Sequence, residues 1–267
     1  MRYSELTIFT DIDGTLVEPE TFDISKRNLD AIRGFIADGG RFAIATGRAE
    51  KWAYPLAEKI GVNFPCVLYN GGVIFDFQKN RRISEEYLPH SAYEYTQRLA
   101  DAMPWAGIVP VSGNFDPEDE VRLVKSIFSG TAPHRTPGWR ENREPWFKAL
   151  FGVPPQRNDE FIAFTQTIHM PDVRIITSID YFVEMLPAGI SKGSALGKMY
   201  DTLGLEREKT AAIGDYYNDL EMIQSAGIGA CVEGAPKELI SASKYITYPC
   251  KDGAIADLIE WLKREYP

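Results

Sequence analysis

The strongest constraint on the fold is the alternation of strand and helix patterns at both ends of the chain. Near the amino terminus, the predicted elements are a strand at 6–10, a helix from about Ser25, a strand at 41–45, a helix at 51–60 and a strand at 66–69. The alternation returns at residue 191, with predicted strands at 210–213, 228–232 and 245–247. Strands separated by helices indicate a parallel sheet with covering helices. Both ends therefore predict one α/β core.

The stretch between these ends is too long to be a loop. Unstructured connections beyond about 12–15 residues are uncommon in compact domains. Its helical patterns lie at about 91–103, 117–128 and 157–168, and strand patterns at 173–178 and 181–186 close it. We therefore predict a core domain formed by residues 1–79 and 188–267, with an inserted α+β cap at 80–187.

Acidic residues follow two of the predicted core strands. Asp11-Ile12-Asp13-Gly14-Thr15 comes directly after an apolar run, and Gly214-Asp215-Tyr216-Tyr217-Asn218-Asp219 follows the run that ends at Ile213. Carboxylate oxygens suit hard cations such as Mg²⁺, and no cluster of thiolates or imidazoles competes with them. The sequence thus predicts a magnesium site where these two strands end.

Two further motifs lie between the acidic clusters. Thr46-Gly47-Arg48 follows an apolar stretch, and Lys192 stands in Gly189-Ile190-Ser191-Lys192-Gly193. Taken alone, each of the four motifs has a structural explanation as a turn, a helix cap or a solvated charge. Their order, each just after a strand or at a helix start, favours a shared chemical role.

The four motifs resemble the signature motifs of the haloacid dehalogenase superfamily of phosphotransferases. Asn70-Gly71-Gly72, together with residues 214–219, resembles the Cof-type, subfamily IIB sugar-phosphatase-like branch. The likeness covers about residues 6–90 and 183–262, and the middle agrees only in length and position. The resemblance implies an α/β fold, with a Rossmann-like parallel-sheet core and an inserted α+β cap domain of C2 type.

A phosphate monoester repels an anionic nucleophile, so an attacking carboxylate needs a cation and hydrogen-bond donors beside it. Asp11 is the candidate nucleophile, and it would form an aspartyl-phosphate. Asp13 lies two residues further along the chain and is the candidate general acid/base. For that role Asp13 must hold a proton near neutral pH, which requires partial burial.

The resemblance assigns the other roles. Mg²⁺ would bind the Asp11 carboxylate, the Asp13 backbone carbonyl and the Asp215 carboxylate, and Asp219 would hold a water of the ion. The groups that would bind the phosphate are Thr46, Gly47, Lys192 and Asn218, the last of which could instead orient Lys192. Arg48 and Asn70 are possible substrate contacts.

Composition limits the partners and the compartment. The formal net charge of −9 argues against nucleic acids and anionic membranes, which both select basic surfaces. Three cysteines without a C-x-x-C pair predict a reducing cytoplasm. The amino terminus lacks the apolar segment of a signal peptide, and no apolar run is long enough for a membrane span. We therefore expect a cytoplasmic protein; its sequence gives no indication of oligomeric state.

The predicted function is a Mg²⁺-dependent phosphatase that acts on a small phosphorylated metabolite. Sugar phosphates are the leading class, ahead of nucleotide-derived and cofactor phosphates such as pyridoxal phosphate. A phosphomutase with the same aspartyl-phosphate and a non-enzymatic phosphoryl-acceptor or phospholigand-binding module are the alternatives. A basic and aromatic segment at 134–146 either selects the leaving group through a stacked tryptophan or is an exposed connector.

Overall fold

The computed structural model describes residues 2–18, 21 and 23–267, which divide into two compact units. The core unit contains the chain up to Ser84 and from Ser191 onward, and the cap unit is Glu85–Ile190. These boundaries fall a few residues after the expected ones at 79/80 and 187/188.

The strands alternate with helices along most of the chain. The strands are β1 (Thr7–Thr10), β2 (Arg41–Ile44), β3 (Cys66–Leu68), β4 (Val73–Asp76), β5 (Arg81–Glu85), β6 (Gly107–Ser112), β7 (Trp146–Gly152), β8 (Val173–Ile179), β9 (Phe182–Pro187), β10 (Thr210–Gly214), β11 (Ile228–Val232) and β12 (Tyr245–Thr247). The helices are α1 (Lys26–Ala37), α2 (Glu50–Ile60), α3 (Ser91–Ala102), α4 (Pro117–Ser129), α5 (Asn158–Thr165), α6 (Lys192–Leu203), α7 (Leu220–Ser225), α8 (Lys237–Ala242) and α9 (Ala254–Glu265). In the described residues, no helix has the length and apolar character needed to span a membrane.

A five-stranded parallel sheet forms the centre of the core unit, in the order β12-β11-β10-β1-β2. Every residue of β1 and β10 is buried, as expected for strands covered by helices on both faces. Thr10, the last residue of β1, is in register with Ile213 on one side and Ile44 on the other. The loops after β1, β2 and β10 therefore emerge side by side at one sheet edge.

The third predicted strand does not extend this sheet. β3 pairs antiparallel with β4 in a separate sheet of order β3-β4-β5, and an isolated bridge between Ala45 and Val67 links it to the chain after β2. This bridge is parallel, so β3 runs beside the chain after β2 in the direction that the βαβαβ pattern predicts. The short turn at 69–72 then brings β4 back beside β3 as an antiparallel hairpin, which the alternation of strands and helices does not predict.

The cap unit is an antiparallel sheet, β6-β7-β9-β8, with α3, α4 and α5. Its apolar core includes Phe151 and Phe161, together with Trp139 and Trp146. Both tryptophans are buried, so the idea that one of them stacks on a sugar is wrong. With a parallel-sheet core and an inserted α+β unit, the structure confirms the predicted α/β fold class.

Candidate active site

A buried ammonium joins two of the predicted motifs. Lys192 Nζ lies 2.6 Å from Asp11 Oδ1 and 2.6 Å from Asp219 Oδ1, and its side chain is fully buried. Lys192 is the first residue of α6, and the Ser191 side chain caps that helix by accepting from the Ser194 amide. The cap fixes the start of the helix, which places the ammonium between the ends of β1 and β10.

The two acidic motifs are also in direct contact. The Thr15 hydroxyl donates to Asp215 Oδ1 at 2.7 Å. Gly14 has a φ of +82°, and a Cβ at this position would collide with the Asp215 carboxylate. Glycine is therefore required here both for its backbone conformation and for the close approach of the two motifs.

Three carboxylates of the site could hold a metal ion. One oxygen from each of Asp11, Asp215 and Asp219 lies within 4.8 Å of the others. Asp219 is also fixed by the protein, because its Oδ2 accepts from the amides of Asp215 at 3.1 Å and Tyr216 at 3.2 Å. The donors are all oxygens, which fits a hard divalent cation.

The electrostatics of this cluster favour a bound cation. Burial raises the pKa of Asp11 well above its ordinary value; Lys192 opposes this shift, and the charges of Asp219, Asp215 and Asp13 add to it. Burial and the charge of Asp219 raise the pKa of Asp215 from 3.8 to about 7. Burial alone would lower the pKa of Lys192, but the two carboxylates beside it outweigh burial and raise it. The site therefore concentrates negative charge that one ammonium only partly offsets.

Asp13 points its carboxylate at an arginine of another motif. Arg48 Nε donates to Asp13 Oδ2 at 2.9 Å, and Arg48 Nη2 donates to the other oxygen. The sequence predicts a substrate contact for Arg48 and a proton-carrying role for Asp13. The geometry is that of a guanidinium–carboxylate pair, so a proton-donor role for Asp13 requires this pair to open.

The comparisons with known proteins identify the family. A family model described as haloacid dehalogenase-like hydrolase matches residues 8–259. The chain belongs to this family. The resemblance drawn from the four motifs is confirmed.

Relatives of this haloacid dehalogenase-like (HAD-like) hydrolase align over nearly their whole length. A 5-amino-6-(5-phospho-D-ribitylamino)uracil phosphatase of Bacillus subtilis is 27% identical and aligns over 96% of this chain and 97% of its own. A phosphoglycolate phosphatase of Methanoculleus marisnigri is 25% identical and aligns over 98% of this chain and 97% of its own. These names agree with the predicted class, a phosphoric monoester hydrolase.

Solved structures agree with the fold. A haloacid dehalogenase-like hydrolase from Bacteroides thetaiotaomicron superposes on this HAD-like hydrolase with a TM-score of 0.80, at 26% identity, covering 96% of this chain and 99% of the other. The subclass IIB sugar phosphatase BT4131 gives a TM-score of 0.78 at 21% identity, covering 96% and 98%. At 21% identity, the comparison with BT4131 supports a shared fold.

The remaining predicted residues of the HAD-like hydrolase lie around one turn. The Thr46 amide donates to the carbonyl of Val67, and Gly47 lies so close to the Asn70 side chain that a Cβ would be 2.8 Å from Asn70 Nδ2. Asn70 Oδ1 in turn accepts from Asn218 Nδ2 at 3.1 Å. Asn70 and Asn218 are thus bonded to each other, which the sequence did not suggest.

Several residues that build the site are not among those predicted from the sequence. Thr15 belongs to the first motif but received no role, although its hydroxyl lies two positions after Asp13 and could have been assigned as a donor. Glu50, Tyr69 and Arg82 form a network next to Asn70. Glu50 comes three residues after Gly47, but no spacing connects it to Tyr69 or Arg82.

Proposed function

We propose that this HAD-like hydrolase is a Mg²⁺-dependent phosphatase that acts on a small phosphorylated metabolite, with sugar phosphates as the leading class. The observation that carries the proposal is the Lys192 ammonium, buried between Asp11 and Asp219. A nucleophilic carboxylate beside a cation suits attack on a phosphate, because the cation reduces the repulsion between two anions.

Two features support the substrate class. The relatives from Bacillus subtilis and Methanoculleus marisnigri are named for small phosphorylated metabolites. The formal charge of −9 is unfavourable for polyanionic partners such as nucleic acids. A small phosphate ester needs only the local donors of the site, namely Thr46, Gly47 and Lys192.

The carboxylates of Asp11 and Asp215, with the backbone carbonyl of Asp13, are the proposed ligands of Mg²⁺. This set of hard oxygen donors fits the ion. When bound, Mg²⁺ would supply positive charge that offsets the anionic phosphate and the acidic cluster. Asp219, held by Lys192 and two backbone amides, would orient the cluster and a water.

In the first proposed step, an Asp11 carboxylate oxygen bonds to phosphorus as the bond to the leaving oxygen breaks. The phosphate-binding donors, Lys192 among them, stabilise the charge that develops on the phosphoryl oxygens. Asp13, released from Arg48, gives its proton to the leaving oxygen. In the second step Asp13 takes a proton from water, the water oxygen bonds to phosphorus, and the bond to Asp11 breaks.

The role of Asp13 predicts different kinetics for two kinds of leaving group. With Asp13→Asn, we expect turnover of a sugar phosphate to fall by about 10²- to 10⁴-fold, because the alkoxide needs a proton to leave. With p-nitrophenyl phosphate we expect one rapid turnover and then a slow steady state. Nitrophenolate leaves without needing a proton, whereas the water that attacks the aspartyl-phosphate still needs a base to remove its proton. Stopped-flow absorbance measures both phases. An unchanged steady-state rate, compared with the exposed control Asp201→Asn, would exclude Asp13 as the acid/base.

The raised pKa of Asp215 predicts how pH acts on the metal-free protein. Its protonation contributes stability that is fully present below the ordinary value of 3.8 and is lost as pH rises through about 7. We therefore expect Mg²⁺ to raise the Tm more at about pH 8 than at about pH 5, because binding requires deprotonated ligands. Thermal unfolding with MgCl₂ or EDTA tests this, and Asp215→Asn should flatten the dependence. An equal rise at both pH values would contradict the assignment of Asp215 as a ligand.

The direct test of the proposed function is phosphate release from sugar phosphates, nucleotides and pyridoxal phosphate, with Mg²⁺ or EDTA. We expect turnover that depends on Mg²⁺ and is lost in Asp11→Asn. A requirement for a sugar bisphosphate, without net phosphate release, would instead identify a phosphomutase. A phosphorylated Asp11 that persists for hours without turnover would identify a phosphoryl-acceptor module.

A further inference from the structure

We propose that the carboxylate of Glu50, through Tyr69 and Arg82, holds the turn at residues 69–71 in the shape that aligns three phosphate-site motifs. Glu50 and Tyr69 would then be positioning residues for the reaction. The inference rests on the proposed phosphatase function, whereas the geometry that suggests it lies wholly within the core unit.

The turn at 69–71 contacts three of the motifs. The amides of Tyr69 and Asn70 donate to the carbonyls of Arg48 at 3.2 Å and Thr46 at 2.9 Å. The Asn70 side chain accepts from Asn218. A Cβ on Gly71 would collide with the carbonyl of Ser191, the residue before Lys192. A shift of this turn would therefore displace the Thr46 loop, Asn218 and the start of α6 relative to one another.

The backbone of the turn is strained. Tyr69 has a φ of +52° and Asn70 a φ of +54°, and Gly71 follows with a φ of +111°. Asparagine tolerates the left-handed region, but an aromatic residue there is uncommon. Such a conformation persists only where the surroundings over-determine it, and it occurs preferentially at functional sites.

The Glu50 carboxylate supplies that constraint. The Tyr69 hydroxyl donates to Glu50 Oε2, and Arg82 Nε donates to Glu50 Oε1 at 2.5 Å. Tyr69 is buried, and burial together with the charge of Glu50 raises the pKa of its hydroxyl, which keeps the proton in place for donation. One carboxylate thus connects the first turn of α2, the strained turn and β5.

Kinetics of matched variants test the positioning role. We expect Tyr69→Phe and Glu50→Ala to lower kcat for p-nitrophenyl phosphate by about 10- to 100-fold with a smaller change in KM, since misalignment acts mainly on the transition state. Glu50→Gln should recover much of this loss, because its amide oxygen still accepts from Tyr69. Tyr54→Phe and Glu58→Ala, at exposed positions of α2, are the controls and should match the wild type.

Hydrogen exchange separates this inference from the proposed function. The amides of Tyr69 and Asn70 should exchange faster in Glu50→Ala than in Glu58→Ala, whether or not the enzyme turns over. Unchanged exchange would overturn the inference, and so would faster exchange with wild-type kcat. A wild-type protein inactive on every phosphate ester would refute the phosphatase proposal, while exchange would still decide whether Glu50 holds the turn.

Discussion

Replacement of Asp11 by asparagine is expected to lower kcat/KM for phosphate release by at least about 10⁴-fold, because the variant lacks the nucleophile. Stability should not fall. The wild-type carboxylate is buried and repelled by Asp219, Asp215 and Asp13, and the Lys192 ammonium offsets part of this repulsion. An uncharged side chain of similar shape removes that repulsion and can still accept from the ammonium.

Colorimetric phosphate release and thermal unfolding measure the two effects on one preparation. Asp201→Asn, the same substitution at an exposed position of α6, should match the wild type in both. Turnover by Asp11→Asn comparable to that of the wild type would exclude Asp11 as the nucleophile. If Asp11→Asn loses both activity and folding, Asp11→Glu provides the test, because it keeps the charge that pairs with Lys192 and should remain inactive with its carboxylate displaced by one methylene.

Replacement of Lys192 by methionine is expected to abolish activity and to reduce the free energy of unfolding by about 3–5 kcal/mol, the cost of breaking a buried ion pair from one side. Methionine fills a similar volume but leaves Asp11 and Asp219 buried without their cation. Protonation of Asp11 relieves that state, and burial raises the pKa of Asp11, so the relief grows as the pH falls. The loss of stability should therefore be larger at about pH 8 than at about pH 5.

Urea denaturation at both pH values measures this loss. Lys237→Met, at an exposed position of α8, is the matched control and should change stability little. Adding Asp11→Asn to Lys192→Met should restore part of the lost free energy, because one unpaired charge is removed. A Lys192→Met variant as stable as the wild type, or a double variant that recovers none of the lost free energy, would contradict the electrostatic account of the cluster.

The core elements were predictable because their signals are local. Ser25 lies before an amphipathic segment, and in the structure its side chain caps α1 by accepting from the Asn28 amide. The strands of the parallel sheet are short apolar runs between helices. The antiparallel pairing of β3 with β4 could not be predicted from local signals, because it depends on where the chain turns after β3.

Two cap strands, β6 and β7, are not predicted from the sequence, and each has a physical reason. Pro110 interrupts the pattern of β6, which is an edge strand and so tolerates proline. Lys148 is a charged residue in the middle of β7 and is buried against Glu184, at 2.8 Å. Glu184 lies 36 residues further along the chain, so no local pattern indicates that the charge of Lys148 is compensated.

The candidate site also combines features that local sequence signals predict with features that depend on long-range contacts. Asp11, Lys192 and Asp215 were expected to meet because each follows a strand or starts a helix at one sheet edge. The pairing of Asp13 with Arg48 and of Asn70 with Asn218 depends on side-chain directions in loops, which no periodicity encodes. The catalytic roles assigned to the site residues stay predictions until the variants are measured.

Rapid acid quench of the enzyme with a saturating sugar phosphate, followed by mass spectrometry of its peptides, detects the proposed aspartyl-phosphate itself. We predict a phosphoryl group on the peptide that contains Asp11, sensitive to hydroxylamine as an acyl phosphate is, formed within the first turnover and lost as phosphate is released. Phosphate release without any phosphoryl group on that peptide at any time, or with the group on another residue, would exclude Asp11 as the nucleophile.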